Sequence, residues 1–325
     1  MFLRPWARYV IPHDEGEAMI RPVERDEVKN AIFDIAEDKA PGPDGYSSRF
    51  YKAASSVIGD DVTAAIKDFF TSGKILRQVN ATILSLIPKV ANPTTVAEFR
   101  PISCCNVLYK TITKIIVQRM QCVMDKIISR PQNAFVPGRR ISNNILLGQE
   151  LFDSYKRQNL PPRCALKVDL RKAYDTLEWD FILAMLHVFG FPDKLIMWIK
   201  ECISTTSFSV SLNGDLHGSF PGARGLRQGD PMSPYLFVLA MEVLHLLLLQ
   251  RIEQLDSFQF HWRCTEMKLF NLCFADDLLL FCKAEEQTVT LFRDALRVFA
   301  DLSGLHANVN KTQLILSKSA SQVRQ

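Results

Sequence analysis

The stretch NLCFADDLLLFCK, residues 271–283, joins two short apolar runs through adjacent aspartates, Asp276 and Asp277. The runs flank the acids as two strands flank a tight turn. An ionised carboxylate drawn out of water is costly unless it is paired or binds a metal. Any fold this chain adopts must therefore bring the carboxylate tip of a hairpin either to open solvent or to a site that neutralises it.

Elsewhere the pattern mixes helices and strands. Val28, Ile32 and Ile35 recur at helical spacing within 22–40, and PGPDG at 41–45 breaks that helix. A second helix is expected over 55–73, ending at Gly73. ATILSLIP and FRPIS read as a strand and its return around a loop holding Pro93, and 107–128 as a long basic amphipathic helix. CALKVDL is a strand with Asp169 at its C-terminal end, running into a helix near 177–189. SFSVSLNGDLHGSF, 207–220, alternates with period two around Asn213 and Gly214, the strongest short hairpin signal in the chain. Helices are expected from Ser233 to about Gln254 and over 286–302, and a last strand in NKTQLILSK. No glycine fingerprint of a dinucleotide fold is present, so the expected class is α+β, a sandwich of the split βαβ kind.

At 325 residues, 47% hydrophobic and 23% charged, the chain has the length for two or three sub-structures around a sizeable core. Its net charge of +4 conceals an uneven distribution: 71–140 holds eleven lysines and arginines against Glu98 and Asp125, a local +9. A basic segment opposed to an acidic remainder suits a phosphate backbone or a triphosphate, although a solvated charged face gives the same count. Eight cysteines and six histidines are scattered without C-x-x-C spacing. That pattern predicts reduced, mostly buried thiols in an intracellular protein, and neither a disulfide scaffold nor a zinc site. YLFVLAMEVLHLLLLQ, 235–250, is interrupted by Glu242 and short for a membrane span, so it reads as a buried helix with no membrane partner.

If the strand ending in Asp169 neighbours the hairpin, Asp169, Asp276 and Asp277 converge. Three such charges repel unless divalent cations neutralise them, and oxygen-only ligation suits Mg²⁺ or Mn²⁺. Two such ions would permit phosphoryl transfer. Alone, an ADD turn is more often a polar hairpin tip. The apolar flanks and the surrounding motifs favour a site.

Those motifs are KAPGPDG, LIPKV with FRPIS, QNAFVPGRRISNNIL, KVDLRKAYDTLEWDFI, RGLRQGDPMSPYLFVLAMEVL, FADDLLLF and SGLHANVNKTQL. In this order, over roughly 20–318, they resemble the reverse transcriptases of non-LTR, LINE-type retrotransposons, in wording most like the plant members. The resemblance implies a right-hand polymerase palm (split βαβ, ferredoxin-like) with fingers and a thumb largely missing. Its segments would be an N-terminal helical extension and fingers base over 1–73, basic fingers over 74–160, the palm over 161–318 and a tail over 319–325. It also implies an RNA-directed DNA polymerase working on an RNA template, a DNA primer and deoxynucleoside triphosphates with two Mg²⁺ ions, or Mn²⁺ in their place.

By the same resemblance, Asp169, Asp276 and Asp277 would be catalytic and hold both ions, Asp276 as the firmer ligand and Asp277 as the more peripheral one. The backbone carbonyl of Leu170 would add an oxygen. Tyr174 would lie under the incoming sugar and crowd a ribose 2′-OH, whereas Asp175 would be structural. Gln228 and Gly229 would approach the nucleotide, and Lys89 and Arg100 would grip its triphosphate, Arg by a bidentate contact and Lys as a point charge. Arg139 and Arg140 would lie against a template or primer backbone, and Lys311 would protonate the leaving pyrophosphate.

The sequence ends soon after the last palm motif and shows no endonuclease, ribonuclease H or Cys/His knuckle segment. The expectation is a piece of a longer element, acting in the nucleus or the cytoplasm. A catalytically inactive nucleic-acid-binding remnant is the rival reading. An intron-maturase-like relative would share the palm but bring a basic C-terminal region, which is lacking here.

Overall fold

The computed structural model describes residues 3–275 and 277–321. Its strands are β1 (Ala81–Pro88), β2 (Phe99–Cys105), β3 (Arg163–Asp169), β4 (Ser207–Leu212), β5 (Asp215–Pro221), β6 (Asn271–Phe274), β7 (Asp277–Lys283) and β8 (Gln313–Leu316). The helices of the first half are α1 (His13–Met19), α2 (Arg25–Phe33), α3 (Ser48–Ala53), α4 (Ser55–Ser72), α5 (Val107–Ile127) and α6 (Ile141–Asp153). Those of the second half are α7 (Ala173–Thr176), α8 (Trp179–Phe189), α9 (Asp193–Ser204), α10 (Ser233–Glu253), α11 (Glu286–Ser303) and α12 (Lys318–Ser321). They cluster into two compact units.

One unit comprises Val123–Phe189 and most of the chain from Tyr235 onward, with the N-terminal strip to Val10. Its sheet runs β6-β7-β3-β8 and is antiparallel throughout. In chain order the unit reads strand, helix, two strands, helix, strand, with β3 threaded between the later strands. This is the split βαβ arrangement expected from the sequence. α8 and α11 pack together, with Phe181 edge-on to Phe299 at 5.9 Å. Across the sheet, Leu151 and Tyr155 close over Ala165, Leu272 and Phe281.

The helix α10 is long and apolar enough to cross a membrane, but 72% of its most apolar stretch is buried inside the fold. It is a core helix. Six of the eight cysteines are likewise buried, and all eight are free.

The other unit comprises Ile11–Cys122 and Gly190–Pro234. Its sheet runs β2-β1-β4-β5, with β1 antiparallel to β2 and parallel to β4. The β4–β5 hairpin turns through Asn213 (φ 53°) and Gly214 (φ 94°), the two left-handed residues that a tight hairpin of this hand needs. Phe70 of α4 meets Trp198 of α9 edge-on at 4.8 Å in its core. Arg119 of α5 is buried and donates to both oxygens of Glu27 and to the carbonyls of Met19 and Arg21, tying α5 to the α1–α2 segment.

These units divide the chain differently from the segments read in the sequence. Residues 123–160 join the 163–169 strand because α6 covers its sheet, and 190–234 join the 81–105 hairpin because β4 pairs with β1.

Candidate active site

The hairpin of β6 and β7 closes on the pair Phe274 and Asp277, with Ala275 in the left-handed region (φ 60°). β7 then runs antiparallel to β3 in a register that sets Asp277 directly opposite Asp169. Directly opposed residues share one face, with Cβ atoms about 4.5–5.5 Å apart, and like charges so placed destabilise the pair. Asp169 keeps 29% of its side-chain surface and Asp277 is exposed, so both carboxylates reach solvent or a ligand. The third expected acid, Asp276, lies outside the described residues. Among the described residues no set of three or more His, Cys, Asp or Glu is grouped to hold a metal.

Between α11 and β8 the chain folds back on the end of β3. Leu170 bridges Ala307, the Arg171 amide donates to the His306 carbonyl at 2.8 Å, and the Asn308 amide donates to the Asp169 carbonyl at 2.7 Å. Along a strand, successive residues turn their N–H and C=O to opposite edges. The Leu170 carbonyl therefore points away from this loop, toward the edge that β7 occupies. The Asn308 side chain donates from Nδ2 to Asp169 Oδ2 at 3.2 Å, and Lys311 Nζ stands 3.9 Å from the same oxygen. The structure thus gathers Asp169, Leu170, Asp277 and Lys311 at one end of the sheet. It adds Asn308, which was not singled out from the sequence although it lies within the SGLHANVNKTQL motif.

Tyr174 follows from the same strand end. Lys172 takes a left-handed conformation (φ 47°) and turns the chain into α7. The Tyr174 ring is half-buried and stacks on Phe237 of α10, with centroids 5.0 Å apart and planes 15° from parallel. Stacking fixes the plane of the ring. Asp175 is exposed in the first turn of α7.

Gln228 and Gly229 belong to the other unit. The Gln228 carbonyl accepts from the Ser103 amide at 2.8 Å, so the loop is pinned to the free edge of β2. Gly229 has φ +118°, and a Cβ there would stand 2.9 Å from the Ser103 carbonyl oxygen. Only glycine fits. Beneath the loop, Arg227 donates to Asn80 Oδ1 (2.9 Å), Thr82 Oγ1 (3.0 Å) and the Cys202 carbonyl (3.0 Å), with its guanidinium 3.8 Å from the Tyr109 ring centroid. Tyr109 donates to Asp230 Oδ2 at 2.7 Å, and burial pushes its phenol well above the ordinary value, so it remains a donor. Arg227 and Asp230 were not singled out from the sequence, although both lie within the RGLRQGDPMSPYLFVLAMEVL motif.

Lys89 and Arg100 are both exposed near the β1–β2 loop, where Lys89 Nζ donates to the Ala97 carbonyl at 3.0 Å. Arg139 departs from its expected role. Its five N–H groups bond to Asp125 Oδ1 and to the carbonyls of Asp125, Ile128, Ser129 and Gln132. It caps the C-terminal end of α5, where a cation also meets the favourable end of the helix dipole, and keeps no N–H for a phosphate. Arg140 beside it is exposed.

Residues 87–324 match the family model described as Reverse transcriptase (RNA-dependent DNA polymerase). Over 95% of its length the chain is 27% identical to an uncharacterized 149 kDa protein of transposon TX1 from Xenopus laevis, of which it spans 23%. Over 85% it is 26% identical to the Pol polyprotein of the type-2 retrotransposable element R2DM from Drosophila melanogaster, spanning 25% of that protein. The chain thus spans about a quarter of these relatives. Both come from animals, and the closeness to plant members expected from the motif wording is not supported. Among solved structures, a telomerase from Candida tropicalis in complex with a TWJ fragment of telomeric RNA aligns with a TM-score of 0.52 at 13% identity. The alignment covers 84% of this chain and 46% of that one, a likeness of fold: the right-hand polymerase class.

Proposed function

The chain belongs to the reverse transcriptase (RNA-dependent DNA polymerase) family, and from that premise we propose that it is the polymerase core of a non-LTR retroelement. It extends a DNA primer on an RNA template with deoxynucleoside triphosphates. The observation that carries this reading is the register of β3 and β7, which opposes Asp169 and Asp277 at the end of the antiparallel sheet.

Enzymes of this family generally depend on divalent metal. Here the donors are carboxylate oxygens without sulfur or imidazole, a set that fits Mg²⁺ or Mn²⁺. Asp169 and Asp277 would hold the metal, with Asp276 and the Leu170 carbonyl as further oxygens. When bound, such ions make a primer hydroxyl more acidic and offset charge on a triphosphate.

The chain's own groups do the rest. The primer 3′-hydroxyl gives up its proton to water as its oxygen attacks the α-phosphorus, the bond to the bridging oxygen breaks, and pyrophosphate leaves, with the Lys311 ammonium as proton donor to it. The clamped Tyr174 ring excludes a 2′-hydroxyl. Gln228, held by its backbone, lies along the nucleotide, and Lys89 and Arg100 bind the triphosphate. Arg140 binds a nucleic-acid backbone.

The test is Mg²⁺-dependent primer extension on an RNA template with wild type, Asp169→Asn and Asp277→Asn. Both substitutions should lower the rate by roughly 100-fold or more, the scale for removing a group that stabilises transition-state charge. Equal product from all three proteins rules the proposal out.

A further inference from the structure

We propose that Asn308 is a positioning residue for the Asp169 carboxylate, setting the direction in which that carboxylate offers its free oxygen to a divalent cation. The inference rests on the polymerase reading above and deepens it. A carboxylate can only accept, so the amide of Asn308 must present its NH₂ to Asp169 Oδ2, at 3.2 Å. The other carboxylate oxygen, Oδ1, accepts no hydrogen bond from the described residues.

What makes this contact a positioning device is the rigidity behind it. The Asn308 backbone amide donates to the Asp169 carbonyl at 2.7 Å, and the Leu170–Ala307 bridge locks the next residue pair. On its other side the Asn308 carbonyl accepts from the amides of Lys311 (3.0 Å) and Thr312 (2.8 Å). The backbone of the residue is held fore and aft, which fixes the position of its Cα and Cβ relative to Asp169. The turn itself needs only those backbone bonds. The side-chain bond is an addition, and it goes to a carboxylate that faces another across the sheet.

Asn308 and Lys311 contact the same oxygen differently. The Lys311 ammonium, 3.9 Å away and 69% exposed, carries a charge that competes with any cation for Asp169. The amide is neutral. It fixes the carboxylate's orientation without reducing the negative charge that attracts metal, as outer partners of metal ligands do.

The experiment measures Mn²⁺ binding to the whole chain by the loss of the free-ion electron paramagnetic resonance signal, in wild type, Asn308→Ala and Asn308→Leu. Both variants keep the backbone bonds, and leucine also keeps the volume. Weaker Mn²⁺ binding by about 10-fold or more is expected in both, together with a matching rise in the Mg²⁺ concentration that half-saturates primer extension. Asn310→Ala, on the same loop, should bind as wild type does.

Wild-type Mn²⁺ affinity in a folded Asn308→Ala, or in Asn308→Leu should the alanine variant melt early, overturns the inference. So does a wild type that binds no Mn²⁺. Weakened binding in a chain that never extends a primer upholds the role of Asn308 and sinks the polymerase reading instead.

Discussion

At the scale of single residues, adjacent arginines show how identical side chains take opposite roles. Arg139 spends every N–H on the end of α5, while Arg140 stands exposed at the start of α6. Measured as the slope of log affinity for single-stranded RNA against log salt, Arg140→Ala should flatten the dependence by about 0.7, one phosphate contact. Arg139→Ala should leave that slope unchanged and lower the denaturation midpoint, because it strands several carbonyls. A changed slope in both variants would mean that Arg139 leaves its cap to meet nucleic acid. The sequence could not separate the two, since what occupies an arginine is set by carbonyls that only the folded chain brings near. Asp169 and Asp277 were legible because burial chemistry allows acidic side chains so few places in an apolar run. Asn308 was not, because its partner lies 139 positions away.

Among the elements, the loop carrying Gln228 depends on a glycine wedged against a strand edge. Gly229→Ala meets two penalties: a backbone at φ +118° that other residues rarely adopt, and a Cβ 2.9 Å from a carbonyl oxygen that belongs to β2. The first is worth about 1–3 kcal/mol. The second adds to it, since Ser103 is held by its own bond to Gln228 and cannot retreat. Gly45 offers the comparison, with φ +76° and open space around it, so Gly45→Ala should cost the strain alone, about 1–2 kcal/mol. Urea denaturation of both should show Gly229→Ala the less stable, and its extension activity should fall with displaced Gln228. Equal losses would remove the close approach as a reason for the glycine. The hairpins and long helices of this fold were readable because turn chemistry and apolar period are local. The parallel pairing of β1 with β4 was not, because 118 residues separate Pro88 from Ser207 and no local signal marks the partner.

For the molecule as a whole, the +9 of residues 71–140 is much less available than its count suggests. Arg119 pairs with Glu27, Lys74 with Glu201 and Lys114 with Asp34, three acids from outside the segment. The charge surplus is therefore partly a set of internal ties, and stability should respond to acid through them. Burial pushes the Glu27 carboxyl up, but its bonds and attraction to Arg119, with Arg21 adding to them, outweigh this and hold it below its ordinary value of 4.5. A carboxyl depressed on folding contributes stability that is complete above its unfolded pKa and is lost as pH falls through the folded one. Between pH 5 and pH 3, then, wild type should lose more thermal stability than Glu27→Gln, which has no such proton to bind. Near pH 7 the order should hold the other way, with wild type the more stable, because glutamine leaves Arg119 buried without its counter-charge. Melting curves at the three pH values decide it: parallel acid losses in the two proteins would show that the tie between α5 and the α1–α2 segment contributes no proton-linked stability.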